Sequence, residues 1–331
     1  MANELYAVGT DPSKSYTTSN LIYSLDGTNW TAATSGQIFP NHYPLQSVDY
    51  SSSKILVVSS MGQSAVSNNI GASWTMANMT SGSIGFAALC AKYCTTISST
   101  NLFVACGWQN YPQATGSYAA GSQAAQIYTS PDGAPGNWQM TFTHSNSNSI
   151  FYRVIAYQPY GMFAVGAANG QGQIWHSNDG STWTMLSNIP SSLGPIYDIA
   201  QSTDGTYLLA TGVGFVIKID QSLNVTLTYL GTIKAPITRI AFKNGLTGQS
   251  VSGDPAAVAV SAQAIYYTLD GVSWQTHTQP GYYFNSVIWY RGSWYVGTYS
   301  DLNKYTYWVS PDSKTWTGYN NGMHVYDWAI H

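Results

Sequence analysis

The sequence predicts an all-β fold: a closed seven-bladed β-propeller of four-stranded antiparallel blades. Three observations carry the prediction. A phrase typified by "IWHSNDGSTWTM" at 174–185 recurs along the chain; its copies keep a period of about 45 residues; and helix start and stop signals are missing throughout. The copies end their motif at Trp30, Trp74, Trp138, Trp183, Trp274 and Trp316, and successive tryptophans stand 44, 64, 45, 91 and 42 residues apart. Running from Trp316 off the end and back to Trp30 adds 45, which completes the 331 residues.

Taken in order, the first unit opens with "NELYAVGTD", which reads as a second strand, and continues into "IYSLDGTNWTAA". The second carries "AVSNNIGASWTMAN". In the third, "IYTSPDGAPGNWQM" follows the Gly, Ala, Ser and Gln-rich "GWQNYPQATGSYAAGSQAAQ" (107–126), expected to be one long inserted loop that explains the gap of 64. The fourth shows all four strands plainly: "YRVIAYQ", a "PYG" turn, "MFAVGAA", "IWHS" and "WTML". A gap of 91 is twice the period, so a degenerate fifth copy belongs midway, and "GFVIKIDQSLNVTLTY" (214–229) supplies it with Asp220 and no Trp. The sixth and seventh carry "IYYTLDGVSWQTH" and "YWVSPDSKTWTGY". The chain then ends in "VYDWAIH", which reads as a first strand. One domain spanning 1–331 follows, in which a C-terminal strand near 323–331 completes the blade begun by 3–33 and leaves no open edge.

These phrases resemble the Asp-box, or BNR, repeat of the sialidase-like propeller superfamily, with the pattern Ser-x-Asp-x-Gly-x-Thr-Trp on the turn between third and fourth strands. The chain is identified as a non-catalytic member. "SNNIGASW" keeps the full length with Asn69 and Ser73 as replacements, whereas "SLDGTNW", "SNDGSTW" and "TLDGVSW" are one residue shorter. An Asp carboxylate accepts backbone N–H groups two or three residues on, Gly supplies the positive φ of a tight turn, and Trp buries a large ring. A structural role is therefore expected for Asp26, Asn69, Asp132, Asp179, Asp270 and Asp312 with Trp30, Trp74, Trp138, Trp183, Trp274 and Trp316. The resemblance implies that these turns lie on the face opposite the site.

Composition excludes several functions. Charged residues are 8% of the chain, against roughly 25% in an ordinary soluble domain. Eleven Lys and Arg with a net charge of −3 provide no basic stripe for nucleic acid, and no apolar run is long enough to insert in a membrane. The N-terminus lacks signal-peptide character, so cytoplasmic synthesis without classical secretion is expected, with an extracellular or virion-surface destination suggested by the low charge. Sialidase-like chemistry, as the resemblance implies it, needs an arginine cluster, a Tyr nucleophile with a Glu partner and an Asp acid/base. Here Glu4 is the single glutamate, the arginines are Arg153, Arg239 and Arg291, and "FYRVIA" only approaches the family's arginine signature. The six histidines (His42, His144, His176, His277, His324, His331) have no metal-ligand spacing, and no metal or other cofactor is expected. Cys90 and Cys106 fall opposite each other if 95–101 is a hairpin connection, as a cross-strand disulfide or as two buried free thiols.

Aligned first strands place Ser47, Phe86, Arg153, Asp198, Arg239, Ser286 and Asp327 at one level of the channel. Arg153, Asp198, Arg239 and Asp327 then form either an ion-pair belt that plugs the channel or an anchor for an acidic or hydroxylated ligand. Loops expected on the binding face carry Trp108, Tyr111, Tyr197, Tyr282, Tyr283, His324 and Tyr326 among Asn and Gly. Flat rings suit the C–H face of a sugar, and Tyr and Trp equally suit a protein interface. Three readings stay open: a lectin-like or adhesin-like binder of neutral glycans; a structural or assembly protein of a virus particle or surface layer, using the propeller as a docking scaffold; and a glycoside hydrolase. The partner is expected to be a glycan or a protein surface, including that of a larger assembly.

Overall fold

Within a blade the side chains grade from covered to solvated, and the strands follow that gradient. Second strands read as apolar runs because a neighbouring blade packs on either face. Leu5–Thr10, Gly161–Ala168 and Ala257–Ser261 are accordingly buried at every position. Fourth strands are short and wet: Thr31–Ala32 and Thr184–Met185 are exposed throughout. The structure, a computed structural model, describes residues 4–10, 19–33, 38–39, 45–51, 53–69, 71–80, 85–110, 124–157, 160–230, 235–243, 256–278, 282–298 and 305–330. Among them the strands form seven four-stranded antiparallel sheets, the blades of a β-propeller. The innermost strands, in blade order, are His324–Ile330, Leu45–Tyr50, Gly85–Thr95, Ser149–Tyr157, Ile196–Gln201, Ile237–Phe242 and Phe284–Tyr290. His324–Ile330 pairs with Leu5–Thr10 in the register Leu5↔Ile330 and Val8↔Asp327, so blade one is assembled from distant ends of the chain.

Every innermost strand slips register once, at the equivalent place. The slips lie between Leu45 and Ser47, Ala88 and Cys90, Phe151 and Arg153, Ile196 and Asp198, Ile237 and Arg239, and Phe284 and Ser286; in blade one the slip skips Tyr326. Such a bulge adds one unpaired residue and re-aims its neighbours. In several blades a glycine on the second strand makes room for it: a Cβ on Gly166 would run into the carbonyl of Ile150, and one on Gly9 into that of His324. The register corrects two expectations. Cys90, not Phe86, is blade three's member of the channel level; Phe86 pairs with Gln109 and packs on Tyr128 because this first strand begins earlier than its counterparts. The expected long loop at 107–126 is also shorter at both ends. Gly107–Asn110 extends the second strand against Gly85–Ala88, and Ala125–Gln126 opens the third; strand pairing overrides a loop-like composition.

The turns between third and fourth strands share one hydrogen-bond pattern. In blade four the Gly180 amide donates to Ser177 Oγ (2.9 Å), the Ser181 and Thr182 amides donate to Asp179 Oδ1 (2.8 Å each), and Trp183 Nε1 closes the turn on Gly180 O (3.1 Å). Asp26, Asn69, Asp132, Asp270 and Asp312 accept backbone amides in the same way. So does Asp220 of the degenerate fifth copy, through the Ser222 and Asn224 amides. Gly180 sits at φ 77°, and Ser313 takes the equivalent place in blade seven at φ 61°. Ser313 is fully buried, and its hydroxyl finds no hydrogen-bond partner.

A left-handed conformation disfavours any side chain, and the buried hydroxyl adds a desolvation penalty. Ser313→Gly is therefore expected to stabilise the fold by about 1 kcal/mol, read as a rise in Tm. The backbone amides lower the pKa of Asp179 and Asp270 to about 2. A carboxylate lowered on folding stabilises above its unfolded value of about 4 and loses that contribution as pH falls through the folded value. Tm measured across pH should accordingly drop between about pH 4 and pH 2.

Candidate functional site

The bulges stack two rings of side chains at one end of the channel. The extra residues Gln46, Leu89, Tyr152, Tyr197, Thr238, Asn285 and Tyr326 are all partly exposed and form the mouth. Behind each follows one residue of a deeper ring: Ser47, Cys90, Arg153, Asp198, Arg239, Ser286 and Asp327. Antiparallel order puts the blade-to-blade connections and the turns between second and third strands on the mouth face. It puts the carboxylate-braced turns on the opposite face.

The deeper ring is a buried electrostatic cluster. Arg153 of blade four reaches across to Asp327 of blade one (Nη2 to Oδ1, 2.8 Å), and its Nε lies 3.1 Å from Asp198. Ser47 Oγ donates to Asp327 (2.7 Å), and Lys92 approaches both Asp49 (3.3 Å) and Asp327 (3.8 Å). The Ile240 amide donates to the other oxygen of Asp198 (2.7 Å). Burial would raise the Asp327 carboxyl, but Arg153 and Lys92 hold it well below the usual range. Burial prevails at Asp198 and keeps its pKa above normal beside two arginines. Cys90 and Cys106 are register partners, and both are free thiols.

Among the described residues three cations (Lys92, Arg153, Arg239) face three carboxylates (Asp49, Asp198, Asp327), so the cluster balances in number. It does not balance in contact. Arg153 hydrogen-bonds Asp327 and lies within ion-pair distance of Asp198, although its Nη1 and Asp198 Oδ1 make no hydrogen bond; Arg239 donates to the carbonyl of its neighbour Thr238 (2.8 Å), and its buried Nε has no hydrogen-bond partner. Arg239 faces a cavity of about 360 Å³ lined also by Gln46, Thr238, Tyr283, Asn285 and Tyr326. Four blades meet there.

The structure distributes the expected ligand residues unevenly. Tyr283, 48% exposed, and Tyr326 line the cavity. Tyr197 stands elsewhere on the mouth ring, stacked on Tyr152 with centroids 5.0 Å apart. Tyr282 packs edge-on against Trp308 (4.9 Å), His324 is only 2% exposed, and Trp108 lies on the second strand of blade three between Ala87 and Ala125. Tyr111 lies outside the described residues. Gln46, Thr238 and Asn285 were missed from sequence, since a bulge leaves no mark in hydrophobic alternation. A second-strand glycine, as in "AVGT", "AVGA" and "YVGT", was an available signal for the bulges of blades one, four and seven and so for Asn285, whereas Val58–Ser59 and Val260–Ser261 oppose the bulges at Gln46 and Thr238 and leave no such mark.

No family model matches the chain, and no curated protein matches it. Solved structures do. YCF48 bound to D1 peptide is 14% identical with a TM-score of 0.59, covering 91% of this chain and 87% of that one. Virginiamycin B lyase from Staphylococcus aureus is 11% identical with a TM-score of 0.60, covering 83% and 84%. YCF48 from Cyanidioschyzon merolae is 13% identical at 0.56, covering 89% and 92%. At these identities the likeness is one of fold.

Removing Arg153 takes the nearest cation from two buried carboxylates, and breaking a buried pair typically costs about 3–5 kcal/mol. Removing Arg239 breaks no ion-pair contact. Arg153→Gln should therefore lower Tm steeply while Arg239→Gln leaves it nearly unchanged, by thermal denaturation of the two variants side by side.

Proposed function

We propose that the protein is a non-catalytic binding module that holds a glycan in the channel-mouth cavity. The observation that carries this reading is the make-up of that cavity. An exposed ring, Tyr283, borders the neutral hydrogen-bonding groups of Gln46, Thr238 and Asn285, in a volume of about 360 Å³ that suits a small ligand. A ring face covers the C–H side of a sugar, while amides and hydroxyls exchange hydrogen bonds with its hydroxyl groups. Membership of the Asp-box propellers belongs to the same proposal. It is supported by the seven turns with one bracing pattern and by their position on the face away from the cavity.

The carboxylates nearest the cavity support a binding role over hydrolysis. Glycosidases commonly work with two carboxyl groups set across the scissile bond. Asp327 is bonded to Arg153 and Ser47, Asp198 accepts the Ile240 amide and pairs in charge with Arg153 Nε at 3.1 Å, and Glu4 bonds to the Tyr6 hydroxyl just before Leu5, which pairs with Ile330 at the far end of blade one. A docking role toward a protein partner is the second reading. It is favoured by a neighbour of like fold that is described as bound to a peptide and by another from a mitotic checkpoint complex. Both readings are compatible with a place on a virion or cell surface.

A glycan array separates them. The wild type should retain one family of sugars, and Tyr283→Ala should lose at least tenfold in affinity with no change in Tm, because that ring is exposed. Array silence together with a stable protein partner would favour the docking role.

A further inference from the structure

Blades three and four carry nearly the same phrase on their third strands, "QIYTS" at 126–130 and "QIWHS" at 173–177. Gln126 is therefore the counterpart of Gln173, and Tyr128 that of Trp175; in both blades the closing serine braces the next turn. The fourth strands of the preceding blades align as well. Asn78 pairs with Gln63 as Thr143 pairs with Gln126, and the Met79 and His144 amides then donate to the carbonyls of Gly62 and Ala125. Met79 thus takes the place of His144, and Ala77 that of Phe142.

Between blades three and four these places form a filled cluster of rings. Trp175 packs on Phe142 (centroids 4.7 Å) and edge-on to His144 (5.5 Å). Gln173 Oε1 accepts the Trp175 indole N–H (3.0 Å) and lies 3.1 Å from His144 Nε2. Between blades two and three the same places hold Ala77, Met79 and Tyr128, and a cavity of about 810 Å³ opens there, bordered by Asn78, Met79, Gln126, Tyr128, Trp138 and Met140. Gln126 is 4% exposed, and its Oε1 has no hydrogen-bond partner. Trp138 cannot serve it, because that indole N–H is spent on Gly133 O (3.2 Å). A buried acceptor without a donor is unfavourable, as is apolar wall that touches nothing.

We propose that this cleft binds a small uncharged planar ring bearing an N–H donor, of the indole type. Such a ligand supplies between blades two and three what Trp175 and His144 supply between blades three and four. Its N–H donates to Gln126 Oε1, and its faces pack on Met79 and Tyr128, since a thioether makes favourable contacts with aromatic rings. No charged side chain lines the cleft among the described residues, which selects against ionised ligands. Met140, 50% exposed, stands at the solvent side and leaves a way in. The cleft lies among outer strands, away from the channel mouth, and does not depend on the glycan reading.

The test titrates indole and benzofuran, which has the same shape with oxygen in place of the N–H, into the intact protein by ligand-observed NMR. Indole should bind more tightly by about fivefold, the worth of one hydrogen bond. Gln126→Leu should bring the two affinities together. The double variant Met79→His with Tyr128→Trp grafts in the rings of the filled interface; it should bind neither probe and melt no lower than the wild type, so that lost binding is not lost fold. Equal affinity for the two probes in the wild type, binding of neither, a preference that survives Gln126→Leu, or undiminished indole binding by the double variant overturns the proposal.

Discussion

The molecule depends on a sheet ring whose last join is made by hydrogen bonds alone. Six blades are continuous in the chain; the remaining one exists because His324–Ile330 lies down against Leu5–Thr10. Without that pairing the second strand of blade one would present an open edge toward the axis, and edges of this kind invite pairing with other chains. Closure also brings Asp327 to the axis, where Ser47, Lys92 and Arg153 converge on it from three other blades. Backbone pairing and buried electrostatics therefore reinforce the same join.

Buried charge here serves position more than stability. A desolvated ion pair gains little over a well-packed apolar substitute, while a broken one is severe. The Arg153 contacts to Asp198 and Asp327 tie together blades four, five and one, two of them not adjacent in the ring. That fixes the spacing of the mouth residues, because each is joined by one peptide bond to a member of the deeper ring. Polar groups at the mouth are thus held by a frame that cannot relax one blade at a time.

Much of this was legible in the chain. The Ser, Asp, Gly and Trp spacing gives the blade number, and Asp220 marks the fifth copy even though no Trp follows it, because its carboxylate alone accepts the turn's amides whereas an indole closes only some of the other turns. The channel level was legible at Ser47, Arg153, Asp198, Arg239, Ser286 and Asp327, where a polar residue interrupts an apolar strand. It was lost in blade three, where Cys90 is itself apolar in character and an early strand start made Phe86 look equivalent. The cavity was not legible. Gln46, Arg239, Tyr283 and Tyr326 belong to four blades, and only ring closure brings them together. Nor does any local pattern separate Tyr283, which meets solvent, from Tyr282 beside it, which packs on Trp308.

The composite blade also constrains the order of events at the ribosome. Leu5–Thr10 is translated first among the strands described here, and its inner partner, His324–Ile330, last. Until that final segment emerges, Arg153 has no Asp327 to reach, the mouth has no Tyr326, and the nascent propeller is a crescent with an unzipped seam. The channel mouth is thus completed only after every other blade has been made, and a chain lacking His324–Ile330 would carry nearly every repeat yet leave the ring open.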